Sequence, residues 1–251
     1  MDLTCLCMTH GRTFLLEESL ESYLRQDRTG LLCEFLIFND CPEQELLCDH
    51  PEVRIINSSA PIEDLSLKQN LGVELSIGQW TMLWDDDDIW LSFRIRNAFE
   101  SIENLKCRAV APHATWFWDN GEITGRGRRP HYGSACFETD FYKSSGGAIR
   151  NAPPDKSAWR NMLARGKCVS VYRTAEKTDM IYRWQGTGGC HDSDSSLQVS
   201  GNVERHRIFR ARTLASSLFH SGRIELKPHW KQDYEQLVAD AIIAGKGGVT
   251  L

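Results

Sequence analysis

The side chains with the strongest chemical demand are four consecutive aspartates, Asp85-Asp86-Asp87-Asp88. They follow the run Gln79-Trp80-Thr81-Met82-Leu83-Trp84 and precede Ile89-Trp90. Adjacent like charges repel one another and cannot be buried unless something cationic offsets them. The run before them reads as a buried strand. A strand that delivers a carboxylate cluster at its C-terminal end points to a divalent cation, and hard oxygen ligands suit Mg²⁺ or Mn²⁺. The plainer alternative is a solvated acidic turn capping the next helix. One or two aspartates would favour that alternative; four, flanked by tryptophans, weigh against it.

The elements that must position this cluster follow from the pattern of the first hundred residues. Residues 2–9 read as a strand, and His10-Gly11-Arg12 as a turn. Apolar residues then recur at helical spacing from Thr13, a candidate N-cap, to Leu24. Cys33 to Phe38 is a second strand, ended by Asn39-Asp40, and Val53 to Asn57 a third. Residues 64–76 form a helix containing Lys68, and Phe93 to Leu105 another. Strands alternating with helices predict a mostly parallel sheet covered on both faces. Ligands of such sheets bind at the carboxyl ends of the strands. Thr9, Asp40 and the aspartates all fall there.

Beyond residue 106 the pattern loosens. It predicts one strand from Cys107 to Trp118, a Gly- and Arg-rich loop over 119–131, and a strand from Tyr132 to Glu138. A short helix, Asp140 to Ser145, a Gly146-Gly147 turn, a helix from Asp155 to Arg165 and a strand from Cys168 to Tyr172 follow. Residues 185–202 read as a loop and 229–244 as a last helix. The expected organisation is one domain of two halves, 1–106 and 107–200, with a C-terminal helical extension, 201–251.

Composition bounds the function. The chain has 251 residues, 41% hydrophobic and 25% charged, with a net charge of −5, as in an ordinary globular protein. The acidic balance argues against general nucleic-acid binding. One basic patch, Arg126, Arg128, Arg129 and His131, keeps a phosphate-bearing or nucleic-acid acceptor open. No apolar stretch reaches the roughly 18 residues of a membrane span, and the N-terminus does not read as a signal peptide. The nine cysteines are odd in number, scattered and without a CxxC pair, so they read as reduced residues of a cytoplasmic protein.

The order strand–Thr-x-x-Arg–helix, strand–Asn-Asp, Lys-x-Asn-x-Gly, then strand–Asp-x-Asp-Asp-Ile-Trp resembles the family 2 glycosyltransferases of the GT-A fold. The resemblance covers residues 2 to about 100 well. It extends less clearly to about 175 through Gly133-Ser134-Ala135-Cys136-Phe137, Gly146-Gly147 and Asp155. It implies a Rossmann-like sheet with helices on both faces, an acceptor side of mixed strands and a helical tail. It also implies a nucleoside diphosphate sugar as donor, with UDP-sugars expected, and Mn²⁺ or Mg²⁺ as cofactor. It implies that the half 1–106 binds the nucleotide-sugar and the half 107–200 the acceptor. By resemblance Asp87 and Asp88 serve the metal, with His191 as a candidate third ligand. Asp85 and Asp86 lie on the donor side, Thr9 and Asp40 contact base and ribose, and Arg12 and Lys68 reach phosphates. Asp155, at a helix start beyond the Gly-Gly turn, is the implied general base of an inverting transfer to a glycan or other hydroxyl-bearing acceptor. Asp140 is the weaker alternative. Trp116, Trp118, Trp159 and Trp184 suit sugar stacking or simple core packing.

Two rival classes stand beside this one. A nucleotidyltransferase or sugar-nucleotide pyrophosphorylase also joins a nucleotide-binding sheet to acidic metal ligands, but would carry a Gly-rich basic loop after the first strand. A non-catalytic nucleotide-sugar-binding module would keep the fold and not the chemistry.

Overall fold

The computed structural model describes residues 1–28, 30–183 and 202–250. The strands, in chain order, are β1 (Leu3–Thr9), β2 (Cys33–Asn39), β3 (Gln44–Leu47), β4 (Val53–Asn57), β5 (Trp80–Asp85), β6 (Ile89–Trp90) and β7 (Ala109–Pro112). They continue with β8 (Thr115–Asp119), β9 (Glu122–Gly127), β10 (Cys136–Glu138), β11 (Cys168–Val171), β12 (Met180–Arg183), β13 (Gly222–Glu225) and β14 (Val249–Thr250). The helices are α1 (Thr13–Leu24), α2 (Leu65–Leu75), α3 (Arg94–Leu105), α4 (Thr139–Ser145), α5 (Pro154–Leu163), α6 (Asn202–Leu214) and α7 (Tyr234–Ile243).

The main sheet has seven strands in the order β11-β7-β10-β5-β1-β2-β4. All neighbours pair in parallel except β10, which runs antiparallel to both β5 and β7. β1 and β2 are apolar along nearly their whole length because both faces are covered. Leu3, Cys5 and Cys7 of β1 pack on one side with Leu16, Leu20 and Tyr23 of α1 and Ile95 and Ile102 of α3. Leu6, Leu36 and Leu83 pack on the other with Val73 of α2, Tyr142 of α4 and Trp159 of α5. A second sheet, β14-β9-β8-β12-β6, supports the far side of the acidic turn, and β3 pairs with β13 in a two-stranded ribbon.

Several expectations need correction. Thr13 is not the N-cap of α1: that position is Arg12, with no side-chain cap. Asp64 does cap α2, its carboxylate accepting from the Ser66 amide. The expected strand over 107–118 is two, β7 and β8, interrupted around Pro112 to Ala114. The expected loop over 119–131 contains β9, because Asn120 and Gly121, both at positive φ, turn the chain back as a hairpin. Tyr132–Ser134 is a 3₁₀ turn, and only Cys136–Glu138 is strand. The last helix starts at Tyr234, capped by Asp233, instead of at residue 229. β3, β6, β12 and β13 are too short to stand out by periodicity, and α6 has almost no amphipathic pattern.

A close approach to neighbouring backbone occurs at Gly78, just before β5. A Cβ there would sit 2.5 Å from the Thr4 amide nitrogen and 2.7 Å from backbone atoms of Leu3 and Trp80. Backbone cannot rotate away as a side chain can, so Gly78→Ala should destabilise the fold by about 1–3 kcal/mol or more, as overpacking does. A fall in the urea midpoint at unchanged slope would show it; an unchanged midpoint would mean that β1 and β5 can separate at this point.

Candidate active site

The acidic turn links β5 to β6 at the carboxyl end of the central strands, where Thr9 ends β1 and Asp40 follows β2. The four aspartates line one cleft with His10, Arg12, Lys68, His131, Asp155, Tyr182 and Phe209, and Thr9 reaches it through its hydrogen bond to Asp86. The sequence-expected residues are therefore brought together, apart from two. Asp40 is adjacent but fully buried, and His191 lies outside the described residues, as does Trp184.

The four aspartates divide into two pairs. Asp86 accepts from Thr9 Oγ1 at 2.6 Å and from Arg12, whose guanidinium also reaches Asp87 at 2.8 Å. Arg12 is thus engaged with carboxylates, and its other face lies 4.8 Å from the Phe209 ring of α6. The second pair meets a histidine: one ligand atom each from Asp85, Asp88 and His131 lie within 4.8 Å of one another. Asp88 also accepts from the Arg183 backbone amide at 3.0 Å. His131 Nδ1 is 2.6 Å from Ser134 Oγ, and the ring packs edge-on against Tyr182. Burial pushes the carboxyls of Asp85 and Asp88 well above the usual aspartate range, and the neighbouring Asp87 charge pushes them further. Asp86 is raised less, because Arg12 opposes its burial.

Two carboxylates and an imidazole at this separation fit a divalent cation such as Mn²⁺ or Mg²⁺. Asp85 and Asp88 converge with His131, whereas Asp87 faces Arg12.

Asp40 is 0% exposed and saturated. Its Oδ1 accepts from Lys68 Nζ at 2.6 Å and His10 Nδ1 lies 3.0 Å away, while Oδ2 accepts from the Ile62 amide at 2.9 Å. Burial alone would raise its pKa, but Lys68 and His10 more than offset this and hold it well below the usual range. Lys68, itself buried, gives a second hydrogen bond to the Thr9 carbonyl at 2.7 Å. Asp40 and Lys68 are therefore occupied with each other, pinning the ends of β1 and β2.

Asp155 sits in the first turn of α5, directly after Pro154. Burial raises its pKa against the opposing Lys156, and its charge is felt at Asp85. A carboxylate of raised basicity in a cleft beside a candidate cation site has the properties of a general base. Asp140, in the first turn of α4, is not among the residues lining the cleft.

Two buried arginines brace the elements around the cleft. Arg94 donates to the carbonyls of Leu83 at 2.7 Å and Ser134 at 3.1 Å, and lies against the Trp84 and Trp90 rings. It ties β5 to the turn bearing His131. Arg183 donates to the Asp87 carbonyl and, at 2.6 Å, to Glu18 of α1. Glu18 also accepts from Tyr234 Oη at 2.7 Å and Lys231 Nζ at 3.1 Å. Of the expected basic patch, Arg126 is buried, bonding Tyr172, Thr178 and the Arg173 and Gly247 carbonyls, whereas Arg128, which stacks on Tyr172, and Arg129 are exposed. Trp116 and Trp159 are core residues. His131, grouped with the patch on sequence, belongs to the cleft. Its position depends on β10 running antiparallel beside β5, for which the sequence carries no local signal.

No protein-family model matches the chain, and no curated protein matches it in sequence. Solved structures do match in fold, and the fold is of the glycosyltransferase GT-A type. S. aureus TarS residues 1–349 in complex with UDP-GlcNAc superposes with a TM-score of 0.58 at 12% identity, covering 86% of this chain and 68% of that one. The same piece in complex with UDP gives 0.55 at 12% identity over 86% of this chain and 67% of that one. A longer TarS structure gives 0.56, with this chain spanning only 40% of it. No helix among the described residues is long and apolar enough to cross a membrane.

Proposed function

We propose that the chain is a metal-dependent glycosyltransferase that transfers a sugar from a UDP-sugar to an acceptor hydroxyl with inversion. The carrying observation is the convergence of Asp85, Asp88 and His131 at one wall of a cleft that also holds Asp155. The GT-A-type fold, and the UDP and UDP-GlcNAc bound by its structural neighbours, support the donor class.

Asp85, Asp88 and His131 would hold the cation, which supplies charge neutralisation for the departing diphosphate. Thr9 and Arg12 fix Asp86 and Asp87, so the turn is set before the donor arrives and little reorganisation is needed at reaction. Asp155 accepts the proton of the acceptor hydroxyl as that oxygen bonds to the anomeric carbon. Attack on the face opposite the leaving group inverts the centre.

Ligands that bind the native state stabilise it by mass action, by about 2.7 kcal/mol at a hundredfold excess over Kd. For a domain of this size that corresponds to roughly 5–10 °C. UDP together with Mn²⁺ should raise Tm by that order, and each alone by less. Failure of every nucleoside diphosphate to move Tm with Mn²⁺ present rejects the donor assignment.

A further inference from the structure

The proposed donor site needs an atom that reads the base, and Asp40 is not free to do so. Both its oxygens are occupied by Lys68, His10 and the Ile62 amide, and the residue is wholly enclosed. Among the described residues lining the cleft, one buried polar side-chain atom has no hydrogen-bond partner: Nε2 of His10. His10 is 4% exposed, and its ring is part of the cleft wall where β1 ends. A buried polar atom left unmatched costs stability, and such atoms are rare enough in folded proteins to require an explanation.

The partner of Nδ1 fixes the chemistry of Nε2. Asp40 is ionised and can only accept, so Nδ1 carries a proton and donates to it. In the neutral ring Nε2 then presents a lone pair. The group that completes it must bring an N–H or O–H. Resting on the donor assignment above, we infer that His10 Nε2 accepts the ring imide N–H of the donor's base, so that this chain selects uracil or thymine through His10 in place of Asp40. Cytosine has an unprotonated ring nitrogen at that position. Two lone pairs would then face each other across a site closed to water, and neither would be satisfied. Lys68 takes part indirectly: its bond to Asp40 holds the carboxylate that orients the imidazole.

The experiment is calorimetric titration of the full chain, with Mn²⁺ present, using UDP, CDP and inorganic pyrophosphate. Wild type should prefer UDP to CDP by about tenfold or more, the scale of one buried hydrogen bond made or missed. His10→Asn places a short amide that can still donate to Asp40 but has no atom where Nε2 was. It should lose UDP affinity by about the same factor, with CDP and pyrophosphate affinities changed less than about twofold. His10→Gln, whose longer amide reaches the Nε2 position, should recover part of the UDP preference. An equal affinity of wild type for UDP and CDP, or unchanged UDP binding by a folded His10→Asn variant, overturns the assignment to His10 and leaves the glycosyltransferase reading standing. Wild type that binds no nucleoside diphosphate overturns both.

Discussion

Asp155→Asn is expected to lower turnover by about 10²–10⁴-fold, the usual contribution of a positioned base. Affinity for UDP and Mn²⁺ should change little, because the amide keeps the shape of the carboxylate and Asp155 is not one of the three residues that converge on the cation site. The pH profile gives a second readout. Burial raises the Asp155 pKa, so the base is lost on the acid side at a pH above the ordinary aspartate value. Wild-type kcat/KM should fall as pH drops through that raised pKa, and this limb should be missing from the residual activity of the variant. Steady-state rates measured with a UDP-sugar that the protein turns over, across pH 4 to 8, would check both. A variant with near-normal turnover removes Asp155 from the chemistry and returns attention to Asp140.

Glu18→Ala is expected to cost about 3–5 kcal/mol of folding stability, the scale of breaking a buried ion pair by removing one partner. Glu18 is 1% exposed and serves Arg183, Lys231 and Tyr234 at once. Without it the buried Arg183 guanidinium keeps only its bond to the Asp87 carbonyl. Burial opposes ionisation of Glu18, but Arg183 and Tyr234 outweigh it and lower the pKa below 4.5. A depressed acid stabilises above its unfolded pKa and ceases to do so as pH falls through its folded pKa. The gap between wild type and variant should therefore be full at neutral pH and close in strongly acidic solution. Urea titrations at several pH values would measure it. Arg183 also carries Asp88 through its amide, so Mn²⁺ affinity should weaken in the same variant; unchanged stability would make the cluster ornamental.

The sequence was readable where one physical signal dominated. The continuous apolar runs of β1, β2 and β5 could only be strands covered on both faces, and they placed Thr9, Asp40 and the acidic turn on one edge of the sheet. Asp155 was legible because a proline and an aspartate start a helix in a recognisable way. What stayed hidden depended on pairings distant in sequence. Which aspartates would meet Arg12 and which would meet His131 is decided by three-dimensional neighbours, since four identical residues in a row carry no register. The partners that enclose Asp40, His10 and Lys68, lie 30 and 28 positions away and carry no local signal. Glu18, Arg94 and Arg183 gave no signal, because a charged residue in a helix or strand reads as surface until its partners are known. Arg126, buried against Tyr172 and Thr178, was hidden for the same reason.

The reversed strand β10 has a further use. Because it runs against β5, the turn carrying His131 arrives from a hairpin, β8–β9, whose tip at Asn120-Gly121 faces outward and touches nothing that a Cβ on Gly121 would meet. That tip is a natural place to open the chain. Two separately expressed pieces joined only by reassembly there would each bring one part of the proposed cation site, Asp85 and Asp88 on the first and His131 on the second, so Mn²⁺ would act as a reporter of their union.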